Sequence, residues 1–75
     1  MTPRLPTLRP RQVIQALRKA GFEVDHQTGG HVALYRAADR RRVIVPRHSR
    51  DLGRGLLRKI IADAGLTREE FEALW

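Results

Sequence analysis

Residues 29–48 read Gly-Gly-His-Val-Ala-Leu-Tyr-Arg-Ala-Ala-Asp-Arg-Arg-Arg-Val-Ile-Val-Pro-Arg-His, and this stretch decides how the 75-residue chain folds. Two short apolar runs, residues 32–35 and 43–45, flank a polar, arginine-rich segment, residues 36–42. Runs of that length bounded by turn residues read as the two strands of a β-hairpin, here with cations at its turn and a histidine at each open end. Upstream, residues 22–26 (Phe-Glu-Val-Asp-His) alternate apolar and polar as a half-buried strand does, and Gln27-Thr28-Gly29-Gly30 forms the turn that follows. Three strands joined by short loops imply an antiparallel meander.

Helices flank the meander. Pro10 suits a first helical turn, where its missing N–H is not needed. Val13, Ile14, Ala16, Leu17 and Ala20 recur at helical spacing before Gly21, so the first helix is expected over residues 10–20, with Arg11, Arg18 and Lys19 on its outer side. Leu57, Ile60, Ile61 and Ala64 give a second helix its buried stripe, with Ser49 or Asp51 as its cap and Gly65 as its end. Thr67-Arg68-Glu69-Glu70 is a capping box opening a short terminal helix packed through Phe71, Leu74 and Trp75. The expected class is α+β, in the order α-β-β-β-α plus a terminal turn. Residues 1–9, with Pro3 and Pro6, read as an extended tail before a single domain over residues 10–75.

A symmetric register sets His26 opposite His31, Val24 opposite Ala33 and Phe22 opposite Tyr35 in the first hairpin. In the second it sets Tyr35 opposite Val43, Ala33 opposite Val45 and His31 opposite Arg47. Phe22, Val24, Ala33, Tyr35, Val43 and Val45 then face the helices, and His26, His31, Arg47 and the adjacent His48 gather at one end. Val32, Leu34 and Ile44 are left as an apolar strip on the other face, which suggests a protein partner.

Composition narrows the function classes. One modest core leaves little room for a large cofactor. With no cysteine, neither a disulfide framework nor a thiolate metal site is possible, and the chain reads as cytoplasmic. No apolar stretch approaches the ~20 residues of a membrane span, and the N-terminus has no signal-peptide core. The formal charge is +7, and its distribution matters more: residues 36–59 carry nine basic side chains against two acidic, whereas residues 60–75 carry one against four. A localised basic region is the electrostatic footprint of a polyanion binder. Eight of those nine are arginine, which favours bidentate phosphate contact. Candidate phosphate contacts are Arg36, Arg42, Arg47, His48, Arg54, Arg58 and Lys59, with Gly30 allowing close approach. Arg54 and Arg58 stand at the start of the second helix, where free N–H groups and the helix dipole favour an anion.

His31 is the sharpest chemical candidate. Cleaving RNA without a metal needs a group that titrates near neutrality to take the 2′-OH proton, beside cations that neutralise phosphate. The alternative is a histidine that only ends the sheet or contacts nucleic acid without chemistry. Three histidines without a helical i,i+4 pair or a carboxylate cluster argue against zinc. Tyr35 and Trp75 read as packing residues rather than base-stacking ones.

Three segments in order, GFEVDHQTGGHVALYR, VIVPRH and GLLRKIIADAGLTREEF, resemble the HicA (YcfA-like) toxin family of type II toxin–antitoxin systems over almost the whole chain. That resemblance implies a fold like the double-stranded-RNA-binding domain and a ribosome-independent mRNA interferase whose required histidine is His31. It implies no cofactor, a HicB-type antitoxin as partner, and operator DNA reached only through the antitoxin complex. Gly30 stands where the family has serine, and Val32 where it often has a second histidine. Beside the endonuclease stand a non-catalytic RNA-binding module of the same fold and a protein-interaction adaptor working through Val32, Leu34 and Ile44.

Overall fold

Proline at a first helical position, apolar residues three and four apart and a glycine just beyond the end specify the first element. In the computed structural model, which describes residues 7–48 and 50–74, helix α1 spans Pro10–Lys19 and buries Pro10, Val13, Ala16 and Leu17. Three strands follow, β1 (Glu23–Gln27), β2 (His31–Arg36) and β3 (Arg41–Pro46), then α2 (Arg54–Asp63) and α3 (Arg68–Glu72). The sheet is antiparallel in the order β1-β2-β3, as a meander requires. The expected α+β class and element order hold.

Both main helices end alike. Beyond α1, Gly21 takes φ +97°, the Phe22 N–H donates to the Leu17 carbonyl, and the Gly21 N–H donates to that of Arg18. Beyond α2, Gly65 takes φ +72°, with Leu66 donating to Ile61 and Gly65 to Ala62. These are Schellman closures, and each turns the chain so that the next apolar residue packs against its own helix. At α3 the capping box forms as expected: Thr67 Oγ1 accepts from the Glu70 N–H at 3.0 Å, and Glu70 Oε1 from the Thr67 N–H at 2.8 Å. The start of α2 differs from expectation, since Gly53 is the N-cap and no side chain caps it. Ser49, the other expected cap, and Trp75 lie outside the described residues.

The register is the main correction. His31 lies opposite Pro46, Val32 opposite Val45, Leu34 opposite Val43 and Tyr35 opposite Arg42, one residue away from the symmetric guess. The loop between β2 and β3 holds four residues, 37–40, and Arg40 closes it at φ +56°. A one-residue slip exchanges the faces, so Val32, Leu34, Val43 and Val45 line the core at 0–4% exposure while Ala33, Tyr35 and Ile44 lie on the outer face. Burying a Val or Leu contributes about 1.5–3 kcal/mol, and Ala33 would contribute far less in the same place. In the first hairpin a bulge between Val24 and His26 sets His26 opposite Ala33 and Val24 opposite Leu34. The expected apolar strip therefore does not exist: Val32 and Leu34 are core, and Ile44, 53% exposed, is what remains of it.

Leu8 and Leu52 bridge as an isolated antiparallel pair and are both buried, so the segment read as a tail contributes one residue to the core. Both main helices lie on the same face of the sheet, over β3, while β1 is exposed along its whole length. Uneven cover leaves a groove between α1 and β1.

Candidate nucleic-acid interface

His31 is the first residue of β2 and is exposed. Its neighbours Val32 and Leu34 point into the core, so alternation puts the imidazole on the outer face with Ala33 and Tyr35. Thr28 fixes the turn that presents it. The Thr28 N–H donates to the His31 carbonyl at 2.9 Å, and Thr28 Oγ1 accepts from the His31 N–H at 3.0 Å and the Gly30 N–H at 3.3 Å. A hydroxyl that accepts from N–H groups two and three residues ahead is a side-chain imitation of a backbone turn. Just beyond β3 the Arg47 N–H donates to the Gly30 carbonyl at 2.8 Å, and Arg47 Nη1 reaches the Thr28 carbonyl at 3.5 Å. The backbone under His31 is thus held from both sides while the side chain stays in solvent.

Neither glycine of the turn needs its freedom. Gly29 and Gly30 do not take positive φ, and a Cβ on either would meet nothing within 4 Å. Their effect is to leave the approach to His31 clear.

The remaining histidines stay near this end. His26 is exposed on the outer face, diagonal to His31 across the bulged pair. His48 is exposed just beyond β3. Among the described residues, no group of three His, Cys, Asp or Glu side chains is placed to hold a metal ion.

The hairpin's arginines are arranged for a different purpose at the far end. Arg36 Nε and Nη2 donate to the two carboxylate oxygens of Asp39 at 2.9 and 2.6 Å. The same guanidinium donates to the Ala20 carbonyl and the Ala64 carbonyl, both at 3.0 Å, and lies 4.5 Å over the Phe22 ring. Ala20 and Ala64 are the C-caps of α1 and α2, where carbonyls lack helical partners and the dipole favours a cation. One side chain therefore ties both helix ends to the hairpin turn. Its hydrogen bonds with Asp39 raise the Arg36 pKa and hold the Asp39 carboxyl well below its ordinary 3.8, at about 2. Arg41 also pairs with Asp39, at 3.1 Å, and reaches the Asp63 carbonyl at 3.4 Å.

The other expected phosphate contacts are spread over the surface. Arg42 bonds Asp25 at 2.6 Å and lies over the Tyr35 ring, on the outer face but toward the turn, about 13 Å along the strand from His31. Lys59 pairs with Asp63 at 2.9 Å. Arg54 and Arg58 are exposed on α2. Among the expected cations, Arg47 bonds the His31 turn itself, through its N–H and Nη1.

Sequence reasoning passed over Thr28, although a threonine three residues before the histidine is the pattern of such a turn. It set Arg11 and Arg18 on the outer side of α1 without giving them a ligand. Arg9, Arg11 and Arg18 join Arg47 and Arg50 around the α1–β1 groove, which is open and about 1480 Å³ in volume. In comparison with known proteins, residues 10–66, about three quarters of the chain, match the model of a family described as HicA toxin of bacterial toxin–antitoxin. No curated protein matches.

Proposed function

The chain belongs to the HicA toxin family of bacterial toxin–antitoxin systems, and from that premise we propose that it is an mRNA interferase, an endoribonuclease in which His31 moves the proton. The observation that carries this reading is the exposed imidazole on a backbone that Thr28 and Arg47 hold in place. Catalysis by a positioned acid–base group needs that combination of fixed origin and open approach.

In the proposed reaction His31 takes the proton of a ribose 2′-OH. The freed oxygen attacks the adjacent phosphorus, and the bond from phosphorus to the 5′ oxygen breaks. That leaving oxygen needs a proton, and this reading assigns the donation to His26, diagonal to His31 on the same face. Diagonal neighbours on one sheet face lie about 7–8 Å apart, a gap that a phosphate can bridge. The products are a 2′,3′-cyclic phosphate and a 5′-hydroxyl, and proton exchange with water resets both imidazoles. In this reading the two imidazoles carry both proton transfers.

A HicB-type antitoxin is the partner this reading assigns, shielding the His31 end, with operator DNA reached through the antitoxin. The place of action is the cytoplasm, where mRNA is met. The test is cleavage by purified protein. His31→Ala is expected to lower the rate about 10²–10⁴-fold with an unchanged circular dichroism spectrum and melting temperature. Undiminished cleavage by a folded His31→Ala protein would remove His31 from the mechanism. One observation favours a non-catalytic RNA-binding module instead: Gly30 gives the imidazole no neighbouring hydroxyl, and Thr28 bonds backbone only. Salt-dependent RNA binding with no products would support that second reading.

A further inference from the structure

We propose that the groove between α1 and β1 is a binding track for single-stranded RNA that delivers the strand to the His31 turn. The direction of delivery rests on the nuclease reading, whereas the track itself rests on the groove.

The groove exists because α1 packs toward β3 and leaves the inner face of β1 uncovered. Val24, on that inner face opposite Leu34, is 38% exposed as a result. Val24 and the half-buried Ile14 give the groove apolar lining. Around them stand Arg9, Arg11, Arg18, Arg47 and Arg50, against Asp51 as the single carboxylate in the lining. Among the described residues, no ion pair engages Arg11, Arg18, Arg47 or Arg50. At the far hairpin turn, by contrast, Arg36 and Arg41 share Asp39. Cations without counter-charges around an apolar floor complement an anionic chain that also has flat apolar faces.

A single RNA strand has that chemistry. Its phosphates pair with guanidinium groups, and its unstacked bases lie on apolar side chains or guanidinium planes. A duplex presents only phosphate and sugar edges to a groove of this kind and makes no use of Val24 or Ile14. The groove also ends in the right place. Gln27 and Arg47, which line it, flank the turn of residues 28–31, and the Arg47 N–H holds the Gly30 carbonyl at 2.8 Å. A strand leaving the groove there crosses the turn and meets His31 on the other side of the sheet's end.

The test uses the full chain carrying His31→Ala, so that RNA survives the measurement. Affinity for a short single-stranded RNA, and for a duplex of the same sequence, is read by fluorescence anisotropy over a range of salt. Adding Arg11→Ala and Arg18→Ala together is expected to weaken single-strand binding about tenfold or more and to lower the salt slope by about 1.4, the share of two phosphate contacts. Arg18→Glu alone is expected to act in the same direction. Arg40→Gly, which removes a cation at the far turn, is expected to change affinity less than about twofold. Unchanged single-strand affinity in the α1 variants, or tighter binding of the duplex than of the strand, overturns the track. Neither result touches the nuclease reading if the native protein still cuts RNA. Groove-dependent binding by a native protein that never cleaves would sustain the track and sink the nuclease.

Discussion

The two ends of the β2–β3 hairpin both carry basic side chains and use them differently in the fold. At the turn end, Arg36 and Arg41 are engaged by Asp39 and by carbonyls at the ends of α1 and α2. At the open end, His31 is exposed and Arg47 spends its backbone N–H, and only a long contact from its guanidinium, on the turn below. Arginine density alone therefore does not tell which guanidinium groups are already engaged within the fold. What distinguishes the ends is whether carboxylates and helix carbonyls already satisfy the guanidinium groups. The turn end is a latch that closes the domain, and the open end keeps His31, Arg47 and His48 exposed.

Substitutions at the two ends should separate stability from activity. The largest effect on stability is expected from Arg36→Ala, which removes bonds to both helix C-caps and to Asp39 from a side chain 18% exposed. A loss of about 2–3 kcal/mol is expected in urea denaturation, with RNA cleavage per folded molecule unchanged. A neutral result would dissolve the latch. Next is Thr28→Val at the open end, which keeps the shape and removes the acceptor for two N–H groups. Cleavage is expected to fall about tenfold in kcat with KM little changed, because the imidazole loses its fixed origin, and Thr28→Ser should restore it. An equal loss in Thr28→Ser would mean that the methyl group, not the hydroxyl, matters.

The smallest effect is the acid response of the latch. The folded Asp39 pKa, about 2, lies below its ordinary 3.8, so folding favours the ionised form. Its contribution is complete above about pH 4 and is lost as pH falls toward 2. Asp39→Asn should flatten that part of the stability–pH curve relative to the native protein. Parallel curves from pH 5 to pH 2 would show that the ion pair carries no linkage.

Element order, both glycine-closed helices and the terminal capping box were legible in the sequence, because each rests on local chemistry that reads within a few residues. Register was not, since it depends on loop geometry. With Arg40 at positive φ the turn is one residue shorter than the symmetric register of Tyr35 with Val43 requires, and that single residue exchanges the faces of β2. Volume held the missing clue: Val32 with Leu34 fills a core better than Ala33 with Tyr35. His31 was legible as a residue but not as a geometry. The symmetric register set it on the helix side opposite Arg47, whereas it lies on the outer face opposite Pro46. The groove was illegible for a related reason, since no local pattern reports that α1 leaves β1 uncovered.

The difference between the ends meets its most direct test in the chemistry of the cut. RNA is offered to the native protein beside the same strand carrying a single 2′-deoxy sugar at the cleavage position, and the product ends are analysed. If His31 draws the 2′-OH proton, the RNA products end in 2′,3′-cyclic phosphate and the deoxy strand survives intact. Equal cutting of the deoxy strand, or products ending in 3′-hydroxyl, would contradict that role for the open end.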